Sequence, residues 1–181
     1  MIAFRNLIEN PTAENYLAVR KEIVATEGYD PYSDDIDHLN ELLDAEKFEE
    51  ALQYNNANTL LSARCHLLKS FALKQLGNDK DAQSENIIAH QILEGMAASG
   101  DGTLEKPYVV LRISDERDLM MYLDEEFASQ SLSNRNGMML DVLTTASGKQ
   151  IHFNITDCFI AMQAKRGNFG VEVKKKWWKF W

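Results

Sequence analysis

The spacing of apolar residues changes at residues 99–107, SGDGTLEKP, and this change constrains the fold more than any other feature. Before it, apolar residues recur at helical spacing as far as Ala98. After it, β-branched runs and period-two alternation predict strands. This order predicts an α+β chain, in which N-terminal antiparallel helical pairs pack with a small, mostly antiparallel C-terminal sheet carrying one helix. The predicted parts are a helical region (1–98), a linker (99–107), a small α+β module (108–173) and a basic-aromatic tail (174–181).

The linker places Asp101 between Gly100 and Gly102, a composition also found in ion and phosphate sites. An EF-hand loop would continue with alternating oxygen ligands, and a P-loop would follow a strand and end in GK[ST]. Neither context is present. We expect Gly100 to end the preceding helix in the left-handed conformation, Asp101 and Gly102 to form a turn, and Pro107 to begin a strand. The linker is therefore predicted to be structural.

Five helical segments are predicted before the linker. Asn10 and Gly28 would cap and end the first segment, and Ser33 or Asp34 would cap the second. Segment 59–76 has apolar residues around much of its surface, which predicts packing on more than one side. The predicted segments are 10–28, 33–43, 45–53, 59–76 and 79–98.

Two pairs of neighbouring helical segments, 33–43 with 45–53 and 59–76 with 79–98, share residue types at a shift of 31 residues. The first series is Leu42, Glu46, Phe48 and Ala51, and the second is Leu73, Gly77, Asp79 and Ala82. With Ala89, the pattern resembles the tetratricopeptide repeat, although Glu46 replaces the usual glycine and the spacing is shorter than 34. Small residues would let antiparallel helices approach closely, so the predicted repeat-packing residues are Leu42, Ala51, Leu73, Gly77, Ala82 and Ala89. A plain helical bundle is the alternative.

Beyond the linker, the residue pattern predicts strands around one helix. Residues 108–113 form a β-branched run, Ser114 can cap a helix over 115–127, and 129–133 can form a short strand. Runs 138–145 and 150–156, separated by ASGK, give the clearest hairpin signal.

The run from SGDGT through PYVVLRISDERD to HFNI resembles a bacterial domain-of-unknown-function family over residues 29–155. In that family, a helical region precedes a glycine-aspartate-glycine signature and a small β module. The resemblance implies the same order here and implies no activity.

No catalytic, cofactor-binding or metal-binding residue is predicted. The four histidines have no spacing that places two metal ligands on one helix face, and Cys65 and Cys158 belong to no CxxC pair. We expect two buried free thiols, although a single disulfide is compatible with the count. The alternatives for chemistry are a Cys158 and His152 pair and the acidic clusters at 33–37 and 123–127.

All three tryptophans fall in the basic-aromatic tail, which consists of Lys174, Lys175, Lys176, Trp177, Trp178, Lys179, Phe180 and Trp181. Lysines interleaved with aromatic residues can anchor to a partner or to this chain's own acidic helices, contact an anionic membrane surface, or stack on single-stranded nucleic acid. The net charge of −9 makes nucleic acid the least favoured of these partners.

We expect a cytoplasmic, non-enzymatic interaction or scaffold protein that binds a peptide or protein segment on its helical surface. The start of the chain lacks the apolar core of a signal peptide, and no run of apolar residues is long enough to span a bilayer. The alternative function is a peripheral membrane protein tethered by the tail.

Overall fold

The structure, a computed structural model, describes residues 2–168, within which there are nine helices and four strands. The helices are α1 (Ile2–Glu9), α2 (Ala13–Val24), α3 (Asp35–Asp44), α4 (Phe48–Gln53), α5 (Ala57–Leu60), α6 (Ala63–Gln75), α7 (Asp79–Ala98), α8 (Asp115–Tyr122) and α9 (Thr156–Asn168). The strands are β1 (Tyr108–Val109), β2 (Phe127–Arg135), β3 (Met138–Thr145) and β4 (Gln150–Asn154). The α+β prediction is confirmed. None of the helices within this range combines the length and apolarity needed to cross a membrane.

Three details of the helical region differ from the predictions. The first helix, α1, was not predicted, and α2 is capped by the Thr12 hydroxyl rather than by Asn10. This helix ends at Val24, before Gly28. The predicted segment 59–76 is divided, because Ser62 caps a new helix whose first residue is Ala63.

The four strands form one sheet in the order β1-β4-β3-β2, with β1 parallel to β4 and the other pairs antiparallel. The predicted β3–β4 hairpin is confirmed, with Leu143 opposite Ile151. Strand β2 is longer than predicted and joins β3 through Asn136 and Gly137, both at positive φ. Helix α8 stops before this strand because Asp124 takes a left-handed conformation at φ 57°.

The predicted strand over 108–113 leaves the sheet after Val109. The next carbonyls bond instead to side chains of the helical region, since Arg20 Nε donates to Val110 O at 2.8 Å and the Tyr29 hydroxyl donates to Leu111 O at 2.6 Å. Arg20 also binds Asp157 of α9 at 2.6 Å. Segment 110–112 therefore joins the helical region to the sheet.

Two clusters of buried residues hold the elements together. The larger one contains residues from α1, α2, α7, segment 110–111, α8, β3, β4 and α9, and so spans the helical region and the sheet. The smaller one lies between α3, α4 and α6. Helix α9, which was not predicted, contributes Cys158 to the larger cluster.

The linker is compact, as its predicted structural role requires. Asp101 accepts hydrogen bonds from Thr103, and its own N–H donates to Lys106 O at 2.9 Å. The prediction of a left-handed Gly100 is wrong, because Gly102 has the positive φ of 75°. Gly100 is small for another reason: a Cβ there would lie 2.4 Å from Pro107 O.

Candidate functional site

Five of the six predicted repeat-packing residues are buried in the helical region, and the sixth, Gly77, is exposed in the turn between α6 and α7. Ala51, Ala82 and Ala89 are at most 1% exposed, and Leu42 and Leu73 are each 9% exposed. Ala51 and Leu42 belong to the smaller core, and Ala89 belongs to the larger one. The small alanines thus lie where neighbouring helices pack closely.

The turns between α3 and α4 and between α6 and α7 have the same backbone pattern. Glu46 and Gly77, 31 residues apart, both have positive φ, at 57° and 75°. In each turn the following residue donates its N–H to the leucine carbonyl five residues earlier, at 2.8 and 2.9 Å. This is the Schellman ending of a helix, which favours glycine at the left-handed position. Glu46 takes this conformation without being glycine.

A strip of large apolar side chains lies on the surface where α6 meets α4, and we call it the α6 strip: Phe48, Leu67 and Phe71. Leu67 and Phe71, four residues apart, share one face of the helix and are 47% and 48% exposed. The rings of Phe48 and Phe71 meet edge to face at 6.4 Å. Arg64, three residues before Leu67, pairs with Asp118 of α8 and borders the strip.

The rest of α6 is fixed by packing against other helices. Cys65 and Ala72 lie in the smaller core with residues of α3 and α4, and the Ser70 hydroxyl donates to Ala82 O of α7 at 2.8 Å. The α6 strip is therefore an exposed face of a helix held on its other sides, which gives a rigid surface.

Phe48 of the α6 strip belongs to an acidic stretch of the chain. Residues 30–50 contain nine acidic residues and one lysine. Four exposed carboxyl groups, Asp34, Asp37, Glu41 and Asp44, are spaced so that they share one face of α3 and its N-cap. We call this the α3 acidic face. In the chain, α3 begins five residues after Asp30 and ends four residues before Phe48.

A cleft of about 330 Å³ opens beside α5, and Lys69 is one of its lining residues. Lys69 is 6% exposed and donates to the Asn55 side chain at 2.5 Å, and burial lowers the pKa of its ammonium. The His66 ring bonds Glu85 at 2.6 Å. The lining residues are Asn55, Asn56, Ala57, Thr59, Leu60, His66 and Lys69. This cleft offers hydrogen bonds but no arranged nucleophile.

A buried charged network fixes the loop before α3. The Arg112 guanidinium is 2% exposed and donates to Ser33 O at 2.9 Å. Asp35, 3.7 Å from Arg112, accepts hydrogen bonds from Tyr54 and Asn56, each at 2.5 Å. Burial alone would raise the pKa of Asp35, but these hydrogen bonds outweigh burial and keep its pKa below the ordinary value. The predicted acidic cluster at 33–37 is thus partly structural.

Helix α8 buries further carboxyl groups in its first turn. Burial raises the pKa of Asp115 to about 7, and it raises the pKa values of Glu116, Asp118 and Asp141 as well. A hydrogen bond joins Glu116 to Asp141. These two carboxyls are 1% and 5% exposed, so neither is open to a substrate. Because the pKa values of these carboxyls are raised in the folded protein, its free energy of unfolding depends on pH.

Both cysteines are buried free thiols, as predicted. Cys158 Sγ donates to Leu111 O at 3.3 Å, and burial raises the pKa of this thiol to about 12. A nucleophilic thiol needs the opposite shift. His152 bonds Gly102 O at 3.1 Å through its ring. The alternative of a Cys158 and His152 pair therefore gains no support.

The histidines have separate partners. His38 lies against Tyr54, His66 bonds Glu85, His90 lies against Tyr122, and His152 bonds Gly102 O. In the cluster at 123–127, Glu125 binds Lys149 at 2.5 Å. Among residues 2–168, no three His, Cys, Asp or Glu side chains are placed to hold a metal ion.

The predicted partner-binding tail, Lys174 to Trp181, lies outside the described residues. Sequence reasoning missed the cleft, because Lys69 resembles an ordinary solvated lysine in a helix. Leu67 and Phe71 were predicted to pack against other helices. Helical spacing alone does not show which face of a helix stays exposed to solvent.

Comparison of the chain with known protein families, curated proteins and solved structures found no match. A functional assignment therefore depends on the surface of the chain itself.

Proposed function

We propose that this chain is a non-enzymatic interaction protein that binds a segment of a partner protein on the α6 strip. The observation that carries the proposal is the pair of half-exposed side chains, Leu67 and Phe71, on a helix whose other sides are packed. Large apolar side chains on a rigid surface bind partner side chains with little loss of conformational entropy.

The surroundings of the strip favour one kind of segment. Nine acidic residues within 30–50 attract positive charge, and the strip accepts large apolar side chains. The partner segment is therefore basic and carries aromatic or long aliphatic residues. Its lysines or arginines lie on the α3 acidic face, and its apolar side chains contact Phe48, Leu67 and Phe71.

Selection from a random peptide library tests this proposal. We expect the full chain, and a chain ending at Glu172, to enrich peptides that combine basic and large apolar residues. The double variant Leu67→Ser with Phe71→Ser should lose them. The matched control is Leu132→Ser, since Leu132 is 57% exposed on β2 and lies in another part of the fold. Equal binding of the enriched peptides to the strip variant would refute the proposal.

A further inference from the structure

We infer that the cleft beside α5 binds a carboxylate group carried on a short apolar body, and that Lys69 recognises the charge of this ligand. The inference goes beyond the proposed function, because the ligand is an acid and not a basic segment. Lys69 lies two residues from both Leu67 and Phe71, so it projects from the side of α6 opposite the α6 strip. The two sites can therefore be tested separately.

Lys69 is a buried charge without a charged partner. It is 6% exposed, and one of the three N–H groups of its ammonium donates to Asn55 Oδ1 at 2.5 Å. Within residues 2–168, no carboxylate oxygen lies within ion-pair distance of this ammonium. An unpaired buried charge is costly, and burial lowers the pKa of the Lys69 ammonium. An anionic ligand would supply the missing opposite charge.

Asn55 holds the ammonium at the wall of the cleft. Asn55 and Lys69 both line the cleft. The Asn55 amide nitrogen donates to Leu52 O at 3.2 Å and to Gln53 O at 3.1 Å, which turns the amide oxygen towards Lys69. Asn55 itself is exposed, so a ligand can approach this point from solvent.

The other ionisable side chain that lines the cleft, His66, already has a partner at each ring nitrogen. Its Nε2 donates to Leu60 O at 3.0 Å, since a carbonyl oxygen only accepts, and its Nδ1 lies 2.6 Å from Glu85 Oε2. Glu85 is therefore paired with His66. Among the described residues that line the cleft, Lys69 is the charged group that lacks a counter-ion.

The donors available in the cleft favour a carboxylate over a phosphate. The N–H groups of Asn58 and Thr59 are already bound by Asn56 Oδ1 at 2.8 and 3.0 Å. None of the described lining residues is an arginine. Phosphate is usually held by several such donors, whereas a single ammonium matches one carboxylate.

The apolar part of the lining and the volume of the cleft favour a short ligand. Ala57 and Leu60 line the cleft and are partly buried against the larger core, which fixes their positions. The volume of about 330 Å³ is at the lower end of the range for small-molecule sites, roughly 300–1,000 Å³. A short acid with an alkyl body fits this combination of charge, apolar surface and size.

Methyl NMR of the full chain during addition of sodium hexanoate tests the inference. We expect saturable shifts of the Ala57 and Leu60 methyl signals and unchanged signals of Leu132, which is exposed on β2. Hexanamide has nearly the same shape without the charge. It should bind about tenfold or more weakly, as expected for the loss of a hydrogen bond between charged groups, and inorganic phosphate should also bind more weakly than hexanoate.

A second set of ligands identifies the source of the carboxylate. The same titration is made with an acetylated tripeptide that ends in leucine, with its C-terminus either free or amidated. Tighter binding of the free tripeptide than of hexanoate would assign the carboxylate to the C-terminus of a protein, and the reverse order would assign it to a free organic acid.

The variant Lys69→Met keeps an unbranched side chain and removes the charge. Its affinity for hexanoate should fall about tenfold or more, while its unfolding temperature should stay the same or rise, because an unpaired buried charge is removed. The matched control Lys74→Met changes an exposed lysine of α6 and should leave the affinity unchanged. The comparison of hexanoate with hexanamide uses the unmodified chain, so it decides the question even if a variant fails to fold.

Four outcomes would overturn the inference. These are no saturable shift at Ala57 and Leu60, equal binding of hexanoate and hexanamide, unchanged affinity in Lys69→Met, and hexanoate shifts at Leu67 in place of Ala57. Peptide selection on the α6 strip does not depend on Lys69, so the proposed function and this inference can fail independently.

Discussion

Replacement of Asp115 by asparagine should make the stability of the protein less dependent on pH. The carboxyl of Asp115 is 1% exposed at the start of α8, where it accepts hydrogen bonds from the N–H groups of Leu111 and Arg112 at 3.2 and 2.8 Å. Burial raises its pKa from the ordinary 3.8 to about 7. The folded protein therefore binds this proton more tightly than the unfolded chain does.

The sign of the effect follows from this difference. Because the folded pKa is the higher one, the stabilisation is fully present below pH 3.8 and is lost as pH rises through 7. Integrating the difference in bound protons from pH 5 to pH 8 gives a loss of about 2.5 kcal/mol in the free energy of unfolding. Glu116, Asp118 and Asp141 have raised pKa values too, so they add to the decline in the wild type.

Urea denaturation of the wild type and of Asp115→Asn at pH 5, 6, 7 and 8 measures this contribution. Asparagine keeps an oxygen acceptor for the two N–H groups but does not ionise. Relative to the wild type, the variant should gain about 2.5 kcal/mol between pH 5 and pH 8. The control Glu22→Gln, at an exposed position of α2, should follow the wild type. Parallel pH profiles for Asp115→Asn and the wild type would refute the reasoning.

Three further substitutions test the packing of the helices and the linker by thermal or urea denaturation. Ala82→Leu should lower the free energy of unfolding by about 1–3 kcal/mol because it overpacks a fully buried site, whereas exposed Ala18→Leu should change it little. Glu46→Gly should raise it by about 1 kcal/mol by relieving the left-handed conformation, and a loss would contradict this account of the turn. Gly100→Ala should lower the free energy of unfolding because the new Cβ would clash with the Pro107 carbonyl oxygen. Gly28→Ala should not lower it, because there is open space around Gly28. Equal stabilities of the two variants would show that the linker tolerates a side chain.

Elements with local signals could be predicted from the sequence. Helix α7 begins at Asp79 and the β3–β4 hairpin forms around ASGK, as the sequence indicated. In both cases, the residues that decide the structure lie within a few positions of each other. Helix α9, which was not predicted, also has a local contact at its start, because the Thr156 N–H donates to Asn154 Oδ1 at 3.0 Å.

Other parts of the fold depend on residues far apart in sequence. Residues 110–113 include the β-branched Val110 and Ile113, which favour a strand. Arg20 and Tyr29, more than 80 residues earlier, nevertheless bind the carbonyls of Val110 and Leu111 outside the sheet. The α6 strip has the same origin, because exposure of Leu67 and Phe71 depends on which sides of α6 the other helices cover. Periodicity shows that a helix has apolar faces but does not show which of them stays open.

Methyl NMR of the leucines provides the most direct test of the α6 strip as a binding surface. A library-selected peptide with basic and large apolar residues is titrated into the chain ending at Glu172, and the signals of Leu67 and Leu132 are followed, since these side chains are 47% and 57% exposed in different parts of the fold. The account predicts saturable shifts at Leu67 and unchanged signals at Leu132. Equal shifts at both leucines, or no shift at Leu67, would contradict it.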